Sequence, residues 1–280
     1  MMMRHVGANK RKKSISGGLA KLVLSSVLIL AGMGQAAASG EAATGAASAS
    51  NAAGRTPAFK GRAYYESRGE AVWEIPVEGK AIALTFDDGP DPVDTPAILD
   101  LLGQYGARAT FFITGKKAEQ YPGIVRREAL EGHEVANHTY THRMLLHCTD
   151  AQIRGEISMA QKSIAMAAGA MPVLFRPPEG FFNSRVLSVG REEGLMTVLW
   201  SWHHATDDWA RPGVGHIVKG ILNDVRGGDI VLLHDYVSGR TQTIDALRVI
   251  LPKLAEEGYS FVTVSELLRA KNSKTNLVNR

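Results

Sequence analysis

Ala81-Ile-Ala-Leu-Thr-Phe-Asp-Asp-Gly-Pro90 is the stretch on which the fold turns. Its first six residues, 81–86, form a short apolar, strand-like run, and two acids, Asp87 and Asp88, follow it directly. Similar runs recur at 109–113, 134–136, 173–175, 197–200, 229–233 and 259–262. Amphipathic stretches at 95–104, 124–131, 150–168, 214–223 and 243–257 lie between them and read as helices. Several end near a glycine (Gly106, Gly132, Gly169, Gly194, Gly258), as helix C-termini favour. Alternation of this kind predicts a parallel sheet with helices outside it, open or closed into a barrel. Five of the strands carry polar, chemically capable side chains just past their carboxyl ends: Asp87 and Asp88, then His138 and His142, then Arg176, then Asp208 and Trp209, then His234. In parallel β/α architectures that edge is where active sites are built.

The chain has 280 residues, of which 45% are hydrophobic and 21% charged, the balance of an ordinary globular core. The length suits one domain of α/β-barrel size or two small ones. The single cysteine, Cys148, excludes an internal disulfide and any multi-thiolate metal site, and reads as a small buried or idle side chain. The formal charge of +4 does not mark a nucleic-acid binder. Arg4, Lys10, Arg11, Lys12, Lys13 and Lys21 concentrate basicity in residues 1–38, where no acid occurs, and the remainder is slightly acidic.

That basic lead precedes an apolar stretch from Leu22 to Met33 and then Ala36-Ala-Ala38, the order of a secretory signal. The apolar run is shorter than the ~20 residues a spanning helix needs, although a retained anchor is the alternative. Contact with a membrane is expected only through this segment, if it stays uncleaved. The expected organisation is therefore a signal peptide at 1–38, an Ala/Ser/Gly-rich linker and lead-in at 39–77, one catalytic domain at 78–266 and a polar tail at 267–280. The protein is expected to be secreted or attached to the cell envelope.

The motifs differ in what they say alone. His138-Thr-Tyr-Thr-His142 spaces two imidazoles four apart, which on a helical turn places both on one face. Two neutral imidazoles and a carboxylate make a common catalytic zinc set, but the spacing by itself is equally compatible with an incidental pair. Asp87-Asp88 before Gly-Pro alone reads as a turn, and Arg176-Pro-Pro-Glu-Gly180 alone as a loop. His133 and His147 lie off the ligand spacing. His203-His204 is not expected to form a second metal pair, because adjacent residues seldom converge on one ion.

Taken in order, Thr85-Phe-Asp-Asp-Gly-Pro90, His138-Thr-Tyr-Thr-His142, Arg176-Pro-Pro-Glu-Gly180, Asp208-Trp209 and Leu232-Leu-His234 resemble the five motifs of the polysaccharide deacetylases, the NodB-homology domain of carbohydrate esterase family 4. The resemblance covers roughly residues 78–266 and implies a distorted (β/α)7 barrel. It implies metal-assisted removal of acetyl groups from an acetylated polysaccharide, with Asp88, His138 and His142 holding a divalent ion, Zn²⁺ or else Co²⁺ or another dication. It assigns Asp87 as general base, Arg176 as the residue holding that carboxylate, His234 as general acid and Asp208 as its tether. Trp209 and Leu232 are implied to line the acetyl pocket, and the backbone N–H of Glu179 to face the oxyanion. Two departures stand out: Glu179 occupies a position where the family usually has an aromatic residue, and Ala205 replaces a common aspartate. The expected activity is N-deacetylation of peptidoglycan or chitin-type oligomers. The rivals are an O-acetyl esterase on acetylated glycans and a non-catalytic wall protein retaining the fold.

Overall fold

A computed structural model describes residues 60–278. The expected signal and the Ala/Ser/Gly-rich tether lie outside the described residues. In chain order the elements are α1 (Arg62–Ser67), β1 (Ala71–Val72), β2 (Ala81–Asp87), α2 (Asp94–Gln104), β3 (Thr110–Ile113), α3 (Gly115–Gln120), α4 (Pro122–Leu130), β4 (Glu134–Asn137) and α5 (Asp150–Ala168). They continue with β5 (Leu174–Phe175), α6 (Ser184–Glu192), β6 (Met196–Val198), α7 (Val214–Leu222), β7 (Ile230–His234), α8 (Thr243–Glu256), β8 (Ser260–Phe261) and α9 (Val264–Val278). Every strand pair is parallel. The strand order is β1-β6-β5-β4-β3-β2-β7, with β8 beside β2.

β2 shows why the sheet is covered on both faces. Ile82, Leu84 and Phe86 join the core shared with Ile98 and Leu102 of α2 and Leu247 and Ile250 of α8. Ala83 instead packs with Phe112, Ala136, Leu174, Val198 and Ile230, the core inside the curled sheet. Successive strand side chains alternate faces, so Thr85 and Asp87 share the inner face with Ala83. The strand's own pleat thus carries Asp87 to the mouth of the barrel.

The two outer strands, β1 and β7, are joined by an irregular seam instead of a ladder. Glu74, just past β1, forms an antiparallel bridge with Asp229, just before β7. Ile75 N donates to Gly228 O at 2.9 Å, and Ser201 N donates to Ile230 O at 2.9 Å. Gly228 has φ +95, and a Cβ there would sit 2.1 Å from Ile75 O, so the seam closes only around a glycine.

Three expectations need correction. Residues before 78 are not all lead-in: β1 pairs with β6, and Trp73 and Ile75 are buried. A two-residue strand is too short to show periodicity. The expected polar tail begins inside α9, where Leu267 is buried. His138 to His142 is not a helical turn. It is a loop after β4, with Thr139 and His142 both in the left-handed region at φ 64 and φ 60. Among the described residues, no helix is long and apolar enough to cross a membrane.

Candidate active site

The two adjacent acids diverge because their backbones differ. Asp87 ends β2 in extended conformation and faces inward, where Arg176 Nη1 donates to its Oδ1 at 2.7 Å. Asp88 has φ 73, which turns its side chain away from its neighbour's direction. Asp88 Oδ1 lies 3.3 Å from His138 Nε2 and 3.1 Å from His142 Nε2. Lys117, from α3, donates from Nζ to the Asp88 carbonyl at 2.6 Å and braces this turn.

Arg176 is fully buried, and each of its three guanidinium nitrogens donates a hydrogen bond. It donates to Thr85 Oγ1 at 2.9 Å, Val198 O at 3.1 Å and Leu199 O at 2.9 Å as well as to Asp87. Burial lowers its pKa, and the Asp87 carboxylate opposes that shift. One residue therefore ties together the ends of β2 and β6 and fixes Asp87 from beneath.

The histidines are oriented from behind. His138 Nδ1 sits 2.8 Å from Arg176 O, and because a carbonyl only accepts, Nδ1 carries the proton and Nε2 is left facing Asp88. Asn137 Oδ1 accepts from Thr139 N at 2.8 Å, and Thr139 Oγ1 accepts from His142 N at 3.1 Å. Glu156 on α5 takes the rest of the loop, accepting from Tyr140 N at 3.1 Å, Thr141 N at 2.8 Å and Thr141 Oγ1 at 2.8 Å. Burial works against ionisation of Asp88, but the facing imidazoles hold its carboxyl well below the usual carboxylate range.

These three residues fit a divalent ion. Their ligating atoms all lie within 4.8 Å of one another. Asp88 Oδ1 is buried without a hydrogen-bond partner, an oxygen whose desolvation only a cation or a proton offsets. The donor set, two imidazoles and one carboxylate, is that of an open zinc site.

On β7, in register with Asp87 across the β2–β7 ladder, stands His234. Its Nδ1 donates to Asp208 Oδ1 at 2.8 Å, and its backbone N–H donates to Asp208 Oδ2 at 2.7 Å. Thr243 Oγ1, at the start of α8, also donates to Asp208 Oδ2 at 2.7 Å. Burial disfavours the imidazolium, yet Asp208, with Asp87 and Asp88 beyond it, pushes the His234 pKa up to about 9.

The remaining predicted residues line the rim. Glu179 is exposed, with φ 57, in a 3₁₀ turn at Pro178–Gly180. Trp209 is 63% exposed on the turn after Asp208, and Leu232 is half-buried on β7. Cys148 is buried and free, as expected. His133 is also buried, its Nδ1 accepting from Ala109 N at 3.1 Å, a packing role far from the site. Sequence reasoning misses Lys117, Glu156 and Thr243, polar residues on helices or helix starts whose spacing carries no signal.

Comparison with known proteins places the chain in a family. The polysaccharide deacetylase family model matches residues 74–198. A Bacillus cereus peptidoglycan-N-acetylglucosamine deacetylase is 47% identical over 211 residues, 75% of this chain and 99% of that protein. The chain belongs to the polysaccharide deacetylase family. Another member, a chitooligosaccharide deacetylase of Bradyrhizobium, is 40% identical over 200 residues, 67% of this chain and 90% of the relative. Among solved polysaccharide deacetylases, a peptidoglycan N-acetylglucosamine deacetylase in complex with 4-naphthalen-1-yl-N-oxidanyl-benzamide superposes with a TM-score of 0.70 at 34% identity. That match covers 75% of this chain and 97% of the solved one. The curled, all-parallel sheet is thus the family's fold.

Proposed function

We propose that this polysaccharide deacetylase removes N-acetyl groups from an acetylated glycan of the peptidoglycan or chitin-oligomer type, outside the cytoplasm, with Zn²⁺ as the resident ion. The observation that carries the reading is the pairing of Asp87 and His234 in register on β2 and β7. A carboxylate supported by a guanidinium and an imidazole supported by a carboxylate thereby stand side by side, next to a metal-ligand set. Hydrolysis of an amide needs both partners, because water is a poor nucleophile and an amide anion is not a viable leaving group.

Asp88, His138 and His142 are the residues to hold the ion. When bound, such an ion polarises the acetyl carbonyl and lowers the pKa of water from about 15.7 toward about 7. Asp87 then takes the proton of the attacking water, with Arg176 preventing the carboxylate from turning away. His234, whose Nδ1 is committed to Asp208, presents Nε2 to the nitrogen of the substrate. Proton transfer from Nε2 lets the C–N bond break, releasing acetate and a free amine. Each transfer contributes ~10²–10⁴ in rate. The Glu179 N–H is the proposed oxyanion donor, with Trp209 and Leu232 walling the acetyl group.

Incubation with peptidoglycan, chitin oligomers and O-acetylated xylan, with acetate and product mass measured, tests the reading. N-deacetylated sugars lost in Asp87→Asn are expected. Release only from O-acetyl esters overturns the substrate assignment, and release from none overturns the enzyme.

A further inference from the structure

A second group of metal-type donors lies at the barrel seam, at the opposite end of β7 from the catalytic residues. His204 Nε2 is 2.8 Å and His203 Nε2 is 3.1 Å from the same oxygen, Asp229 Oδ2. The ligating atoms of all three lie within 4.8 Å of one another. Adjacent histidines are not expected to converge, but the chain bends sharply after β6: His204 N donates to Ser201 O at 3.1 Å and brings the two rings to 4.2 Å between centroids.

The tautomer of His204 is fixed by its other nitrogen. Nδ1 lies 3.0 Å from Gly220 O, a carbonyl that can only accept, so Nδ1 carries the hydrogen. In the neutral ring, Nε2 then directs its lone pair at a carboxylate oxygen 2.8 Å away. Two lone pairs so opposed are reconciled either by a metal cation between them or by a second proton on the ring. Asp229 is itself held in place to face the rings, with Ser201 Oγ donating to Oδ1 at 3.0 Å and Arg226 N to Oδ2 at 2.7 Å.

The pattern repeats the catalytic cluster. In both, one buried histidine is anchored through Nδ1 to a backbone carbonyl, a second and more exposed histidine joins it, and both Nε2 atoms face one carboxylate oxygen. The separations from that oxygen are 3.3 and 3.1 Å in the catalytic cluster and 2.8 and 3.1 Å at the seam. A tetrahedral ion with bonds of ~2.0–2.1 Å needs its donors about 3.3 Å apart, a few tenths of an ångström of side-chain opening here. The His203 side chain is 22% exposed, which leaves a way in for the ion and for a completing water.

We propose that His203, His204 and Asp229 form a second, structural divalent-metal site, of zinc type, that clamps the barrel seam. Asp229 is bridged to Glu74 across the seam, next to the Ile75–Gly228 hydrogen bond, and His203 and His204 lie on the connection that delivers Asp208 to His234. An ion there staples β7 to that connection and takes no part in the hydrolysis.

The test uses the full chain, stripped with a chelator and titrated with Zn²⁺ by calorimetry. Two equivalents are expected for the parent. His204→Gln, which retains an amide donor toward Asp229, is expected to bind one and keep kcat within about twofold. The Asp88→Asn/His142→Ala double variant is inactive yet is expected to bind one equivalent and to melt higher with Zn²⁺ than without. Adding His204→Gln to that double variant is expected to abolish both effects. A parent stoichiometry that His204→Gln leaves unchanged overturns the proposal, as does a double variant that binds no Zn²⁺. In that case Asp229 simply pairs with an imidazolium. Failure of the catalytic site is read separately, in the loss of the equivalent that depends on Asp88 and His142.

Discussion

Asp87 and Asp88 are chemically identical neighbours separated by one backbone angle. The proposed division of labour predicts different failures for the same substitution. Asp88→Asn offers the proposed Zn²⁺ a neutral amide in place of a carboxylate and is expected to lose metal, seen by elemental analysis. Asp87→Asn is expected to keep metal while kcat falls by roughly 10² or more. Equal metal loss in both removes the distinction. His234 offers a second residue-scale test through pH. Its folded pKa, raised to about 9, exceeds the ordinary value of about 6.5, so the charged form is favoured by folding. The resulting stability is fully present below about pH 6.5 and is lost as pH rises through about 9. In the proposed role of general acid, the same proton is expected to define the alkaline limb of kcat/KM for amides. Asp208→Asn removes the group that raises it, so that limb is expected to move to lower pH, while cleavage of an aryl acetate, whose phenolate leaves unprotonated, is affected far less. An unmoved limb excludes His234 as the acid.

Among the elements, α5 does more than cover the sheet. Its start is fixed by a capping box, with Thr149 Oγ1 accepting from Gln152 N and Gln152 Oε1 accepting from Thr149 N. Two turns later Glu156 takes the backbone of the histidine loop. Glu156→Ala frees two N–H groups and the Thr141 hydroxyl and is expected to weaken Zn²⁺ affinity ten- to a hundredfold, the scale for losing an outer support of a metal ligand. Thr149→Ala is expected to cost about 1 kcal/mol of stability with metal affinity unchanged. Calorimetric Zn²⁺ titration beside thermal unfolding separates them. Elements also divide what is legible in the sequence from what is not. β2, β3 and β7 are plain because each is a run of apolar residues ended by a charged or polar one. α6 and β1 are not, since α6 is mostly polar or small in composition and β1 has two residues. The proposed metal ligands are legible because their chemistry is written in residue types at the strand ends. Lys117 and Glu156 are hidden because any surface-helix lysine or glutamate looks the same until the fold aims it. The histidine loop passes for helix because a spacing of four is ambiguous until backbone signs are known.

For the molecule as a whole, closure depends on the seam between β1 and β7, where Gly228 meets Ile75. Gly228→Ala forces a Cβ into a carbonyl oxygen at a positive φ, combining overpacking with left-handed strain. A loss of roughly 2 kcal/mol or more is expected. For a unit of this size that lowers Tm by about 4 °C or more, measurable by calorimetry. Gly123→Ala, whose added Cβ meets nothing within 4 Å, is the matched control. The pairing of β2 with β7 has a further consequence, one of timing. The proposed base and acid stand on neighbouring strands, yet nearly the whole barrel is threaded between them along the chain. In chain order β2 to β5 carry Asp88, His138 and His142, while the proposed acid comes only on β7. Under the proposed roles, chemical competence is expected only once β7 is paired with β2. The enzyme is in this sense switched on by its own completion, and hydrolytic activity during refolding should trail the recovery of both helix content and metal binding.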